Sequence, residues 1–189
     1  VNGVEIETDE GVTGLGGPVD RGTAAHLHVH YRNKLIGMDP LATERIWDIL
    51  LTERLASAVD FVSSHALTRT LSLGLFGAST GAASALRVAA ALPDVVRAVV
   101  SRGGRPDLTG EKLLAKVRAP TLLIVGGRDH GVIELNEQAR DALVHCDRAL
   151  KIVRGATHLF EEPGALEEVA RLAAEWFVRH LTAPPARQA

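Results

Sequence analysis

One cysteine, Cys146, occurs in the 189 residues. It excludes an internal disulfide and fits a reducing cytoplasm, the expected location. Charge of either sign is not in excess. A formal net charge of -2 gives no electrostatic reason to expect nucleic acid or an anionic membrane as partner. No apolar run approaches the roughly 20 residues that a membrane-spanning helix needs, and the start lacks a basic-then-apolar signal pattern. An internal repeat is also missing. The chain opens on Val1 instead of methionine, so it is expected to be a fragment or to have its true start elsewhere. What remains is a globular composition, 46% hydrophobic and 23% charged, long enough for one domain with a sizeable core and a small appendage.

The composition shifts once, near residue 48. Before it, Val4 to Thr8 alternates apolar and polar, Asp9-Glu10-Gly11 supplies a turn, and Val12 to Leu15 can return as a second strand. Gly16, Gly17 and Pro18 then break the pattern. Asp39-Pro40 reads as a helix cap with proline at the first helical position. From there to about Val62, the spacing of Trp47, Leu51, Leu55 and Val59 predicts a helix with one apolar stripe. After residue 68, strands are expected at Leu71–Phe76, Val95–Ser101, Thr121–Gly126 and Leu150–Val153. Helices are expected at Thr80–Leu92, Glu111–Val117, Val132–His145 and Ala165–Leu181. Near-continuous apolar strands alternating with helices predict a parallel sheet covered on both faces. The tail after residue 182 is expected to be disordered.

Gly77-Ala78-Ser79-Thr80-Gly81 falls between the first of these strands and its helix. A G-x-S-x-G there can form a strained turn that lifts the serine hydroxyl above the sheet edge, with the positive end of the helix behind it. Taken alone, a turn that simply requires small residues is an equal reading. A serine also needs a base, and the base needs an orienting acid. Asp129 lies just past the end of the third strand, and His158 just past the fourth. All three residues fall at one edge of a parallel sheet, where ligands bind in open α/β folds. Singly, Asp129 could be a helix cap and His158 a packed loop residue; the joint order favours Ser79 as nucleophile, His158 as base and Asp129 as its orienter. His130 is a weaker candidate base.

From about Asp48 to Leu181, "LGLFGASTGAA", "VVSRGGRPDLTG", "APTLLIVGGRDHGV" and "GATHLFEEPGALEEVARLAAEWF" resemble α/β-hydrolases of the dienelactone-hydrolase-like group. The resemblance implies a partial α/β-hydrolase fold over residues 49–182, about four parallel strands flanked by helices, with a hairpin and helix extension before it. It also implies hydrolysis of a small-molecule ester, thioester or lactone without a cofactor or metal, by Ser79, Asp129 and His158. Dienelactone hydrolase itself uses a cysteine nucleophile; this chain has serine, like the esterase-like relatives.

Two departures qualify that expectation. The group carries a glycine-rich loop after an early strand that gives one of two oxyanion donors, and nothing like it precedes residue 71. The backbone N–H of Thr80 remains, and losing one donor costs about 100- to 1000-fold in turnover. A weak hydrolase is expected, or alternatively an inactive remnant completed by a partner. Residues 1–48, with "GVEIETDEGVTGLGG" and "AAHLHVHYRNKLIGMDPLATERIWD", resemble part of the N-terminal capping domain of mandelate-racemase-type enolase-superfamily enzymes, which implies a fusion. No barrel follows, so no Mg²⁺ or enolising chemistry is implied. In that segment His26, His28 and His30 would share a face only as a strand; a solvated helix or loop is favoured over a metal site. Arg102 and Arg105 are candidates to hold an anionic substrate group. Without earlier strands, strand 71–76 presents a bare apolar edge, and self-association through it is expected.

Overall fold

The computed structural model describes residues 2–182; Val1 and the expected disordered tail, 183–189, lie outside the described residues. The chain divides into two compact units at residue 50/51.

The first unit begins with an antiparallel hairpin, β1 (Asn2–Glu7) and β2 (Thr13–Val19). Its turn closes through Thr8 N–H to Val12 O at 3.0 Å, with Gly11 at φ 77. The glycine-proline stretch expected to end the strand does not. Gly16, Gly17 and Pro18 all lie within β2, with Val4 opposite Gly16. A two-stranded ribbon can tolerate proline wherever its missing N–H faces solvent. Asp20 then caps α1 (Arg21–His26), its carboxylate accepting from Thr23 N–H at 2.9 Å. A π-helical turn (Leu27–Tyr31) and α2 (Arg32–Leu35) continue it. The histidine segment is therefore helical. His26 and His30 stack at 4.5 Å, and among the described residues no group of three metal-ligating side chains forms. Asp39 caps a local turn, its carboxylate accepting from Leu41 N–H, and helix α3 (Thr43–Ser64) starts later than the Asp-Pro signal predicts.

In the second unit β3 (Leu73–Ala78), β4 (Val96–Arg102), β5 (Thr121–Gly126) and β6 (Arg148–Val153) form one all-parallel sheet in sequence order. Helices α4 (Thr80–Ala91), α5 (Glu111–Leu114), α6 (His130–Ala142) and α7 (Ala165–Leu181) link and cover it. Alternation along the strands sorts the core into two layers. Leu75, Val99 and Leu123 pack with Val59 of α3, Leu86 of α4 and Leu143. Val100, Leu122 and Ile124 point the other way, onto Val169, Ala173 and Trp176 of α7. Two-sided burial explains why β5 is buried at every residue and reads as an unbroken apolar run. The expected stripe on α3 is split: Val59 is 2% exposed, whereas Trp47 is 58% exposed.

Among the described residues β3 pairs only with β4 and is an edge strand. Phe76 and Leu71 are exposed beside it. No helix among the described residues is long and apolar enough to cross a membrane.

Candidate active site

Parallel register brings four chain turns to one edge. Ala78 lies opposite Arg102, Arg102 opposite Ile124, and Gly126 opposite Val153. The residues that follow are Ser79, Gly103, Asp129 and His158.

Ser79 occupies φ 50, ψ -125, a conformation that costs a non-glycine residue about 1–3 kcal/mol and persists only where its surroundings impose it. The surroundings do so from two sides. Ser79 N–H donates to Arg102 O at 3.2 Å, and Arg105 N–H donates to Ser79 O at 3.1 Å. Gly77 is required sterically: a Cβ there would lie 2.5 Å from Gly81 O and 2.6 Å from Ala82 Cα. The second glycine of the motif is different, since nothing lies within 4 Å of a Cβ on Gly81. Only one of the two glycines makes room for the turn. Ser79 stands at the N-cap of α4 but its side chain caps nothing, so the hydroxyl is not consumed by a structural bond. The N–H of Thr80, first residue of α4, belongs to the helix-end donors that lack an intrahelical partner.

Asp129 likewise stands at the N-cap of α6 without capping it. Its Oδ2 meets His158 Nδ1 at 2.6 Å. A carboxylate only accepts, so Nδ1 carries a proton, and in the neutral imidazole this leaves Nε2 as the acceptor. The Asp129 side chain is 17% exposed and that of His158 40%. Two backbone bonds hold their loops together, Gly127 N–H to Val153 O at 2.8 Å and Arg128 N–H to Ala156 O at 2.9 Å. His130, exposed at the start of α6, is not the partner of Asp129. His158 Cε1 comes to 3.6 Å from the Cβ position of Gly103, the residue after the acceptor of the Ser79 N–H. No hydrogen bond joins the Ser79 hydroxyl to the imidazole among the described residues.

The two arginines have different surroundings. Arg105 grips Asp107 with both arms of its fork, at 2.9 and 2.8 Å. Arg102 stands with its guanidinium carbon 5.4 Å from the centre of the Phe160 ring. Three residues around the site were not singled out from sequence. Phe160 is buried at φ 59. Asn136, fully buried on α6, donates to Gly104 O at 3.0 Å and so pins the loop that clasps Ser79. Glu162 accepts the Thr157 N–H on both oxygens at 3.1 Å, and these bonds hold its carboxyl below the usual range, aided by the charge of Arg128. A polar residue inside an apolar helix face could have flagged Asn136; Glu162 reads like any loop carboxylate.

A parallel sheet with a strained serine after one strand and a bonded carboxylate–imidazole pair after two others defines an α/β-hydrolase core. The chain belongs to the dienelactone hydrolase family, which it matches over residues 31–182. It is similar to a dienelactone hydrolase from Anabaena variabilis whose crystal structure superposes with a TM-score of 0.70. The two share 43% identity over 91% of this chain and 74% of that one. A monoacylglycerol lipase from Paleococcus ferrophilus shares the fold at 20% identity and TM-score 0.57, over 68% of this chain and 76% of that chain. A curated relative from Mycobacterium tuberculosis, named "Putative phosphoribosyl transferase MT0597", is 57% identical over 141 residues, 74% of this chain. The chain spans 31% of that relative's length. The family match begins at residue 31, inside the segment expected to be an extension. None of these proteins adds support for a capping-domain origin of residues 1–48.

Proposed function

We propose that this chain is a serine-dependent hydrolase of a small ester, thioester or lactone, with Ser79 as nucleophile, His158 as general base and Asp129 as its orienting acid. The observation that carries the reading is the 2.6 Å bond from His158 Nδ1 to Asp129 Oδ2, made by two loops at the edge where Ser79 is held in a strained turn. Ser79 Oγ attacks the acyl carbon as His158 Nε2 takes its proton, and the resulting oxyanion faces the Thr80 N–H. Collapse expels the alcohol, thiol or ring oxygen, which receives that proton from His158. Water then attacks the acyl-serine by the same route and releases the acid. The residues need no cofactor for these steps. Ser79 and His158 lack a direct hydrogen bond here, and such bonds often tighten only when substrate is bound.

Arg102, which has no carboxylate partner among the described residues, is the candidate to receive an anionic substrate group; Arg105 is engaged by Asp107. The name of the mycobacterial relative concerns a longer protein, of which this chain matches 31%. The serine, imidazole and carboxylate of this chain favour acyl transfer over transfer of a phosphoribosyl group. The rival reading is a hydrolase remnant without turnover, favoured by the unmade Ser79–His158 bond. Turnover of a p-nitrophenyl ester decides between them. Ser79→Ala and His158→Ala should lower it to similar extents, because the groups act as a unit. Markedly unequal losses would point to another base, and no turnover by folded protein would favour the remnant.

A further inference from the structure

Eleven residues separate β6 from α7, and His158 sits in their middle. Among the described residues its imidazole has one side-chain partner, Asp129, so its placement depends on the backbone beneath it. Turn bonds from Phe160 N–H to Thr157 O and from Ala156 N–H to Val153 O, both 3.3 Å, shape that backbone locally, and one of its peptide groups is held from both ends. The carbonyl of the Ala156–Thr157 peptide, Ala156 O, accepts the N–H of Arg128, the residue before Asp129, at 2.9 Å. The N–H of the same peptide points the other way and is taken by both oxygens of Glu162 at 3.1 Å. Glu162 in turn is fixed at the foot of α7, its carbonyl accepting the Ala165 N–H at 3.0 Å.

We propose that Glu162 is a positioning residue for His158: its carboxylate clamps the Thr157 N–H while the Asp129 loop clamps the other end of the same peptide. The proposal rests on His158 acting as the base. A bond to an ionised acceptor is roughly twice as strong as a neutral one, and the Thr157 N–H bond itself, with a smaller contribution from the Arg128 charge, favours the ionised form. Releasing the peptide frees rotation just before the histidine, where a displacement of about 1 Å costs up to 100-fold.

The test compares Glu162→Ala with Glu162→Gln, which keeps a carbonyl oxygen for the Thr157 N–H. With a p-nitrophenyl ester, Ala should lower kcat at least about tenfold with KM and Tm little changed, and Gln should recover most of it. A second readout does not need turnover. The imidazole Nδ1 proton held by Asp129 should give a downfield proton resonance that broadens in the Ala variant and returns in Gln. An Ala variant with unchanged kcat and an unchanged resonance overturns the proposal, as does a Gln variant no better than Ala. If the wild-type protein shows no turnover, the hydrolase reading fails, and the resonance alone still decides whether Glu162 fixes the ring.

Discussion

Substituting the two glycines of the motif one at a time separates steric demand from sequence pattern. In Gly77→Ala the new methyl would meet Gly81 O at 2.5 Å, Ala82 Cα at 2.6 Å and Ala82 N at 2.7 Å. The first is about 0.9 Å short of the 3.4 Å at which ordinary contact begins. All three atoms are backbone at the first turn of α4, so no side chain can rotate away. Overpacking costs about 1–3 kcal/mol where side chains can adjust, so a backbone clash belongs at about 3 kcal/mol or above. For a chain of this size, each kcal/mol moves Tm by roughly 2–4 °C, which puts the loss at roughly 6–12 °C. Gly81→Ala meets nothing within 4 Å, and alanine in a helix gains up to about 1 kcal/mol over glycine. Its Tm should hold or rise by up to about 4 °C. Thermal unfolding followed by far-UV circular dichroism measures both. Equal melting of the two variants, or a lower Tm for the Gly81 variant, would refute the assignment of the turn to Gly77 alone.

Other outcomes follow from the same contacts. Asp129→Asn preserves the shape of the site but lets the imidazole adopt the wrong tautomer, so kcat for an ester should fall by about 10⁴ with little change in KM; a loss under tenfold contradicts the orienting role. His180 stacks on Trp176 at 4.4 Å, and burial pushes its pKa down from 6.5, outweighing Asp147 at 3.5 Å and aided by the nearby charge of Arg179. The unfolded chain therefore binds this proton more readily than the folded one. Its contribution is fully present above about pH 6.5 and is lost as pH falls through the depressed folded value. Denaturant melts between about pH 7.5 and 5.5 should show that loss in the wild type and a flatter profile in His180→Phe; identical slopes would contradict it. We further propose that the open edge of β3, with Phe76 51% and Leu71 67% exposed, pairs with a second copy. Sedimentation should show concentration-dependent association that Phe76→Lys weakens, and a monomer at every concentration removes the proposal.

The fold was legible where burial is two-sided or the helical face regular. β5 is buried at every position and α7 alternates faces every three to four residues, and both lie where the apolar pattern puts them. The pattern misleads where local chemistry overrides propensity. β2 runs through Gly16-Gly17-Pro18 because a two-stranded ribbon needs few of its N–H groups bonded. The Asp39 side chain spends its oxygen on Leu41 instead of on α3. The chain order of Ser79, Asp129 and His158 was readable because parallel strands end at one edge. The contacts that hold these residues were not: Asn136 on Gly104, Glu162 on Thr157 and Arg105 on Asp107 join groups whose spacing carries no periodic signal.

The most direct measurement is the site of covalent capture by a fluorophosphonate probe, mapped by mass spectrometry of the digested protein. An activated serine predicts a single adduct on the peptide holding Ser79, absent in Ser79→Ala and formed far more slowly in His158→Ala. An adduct elsewhere on folded protein, or labelling at full rate without the imidazole, would contradict it.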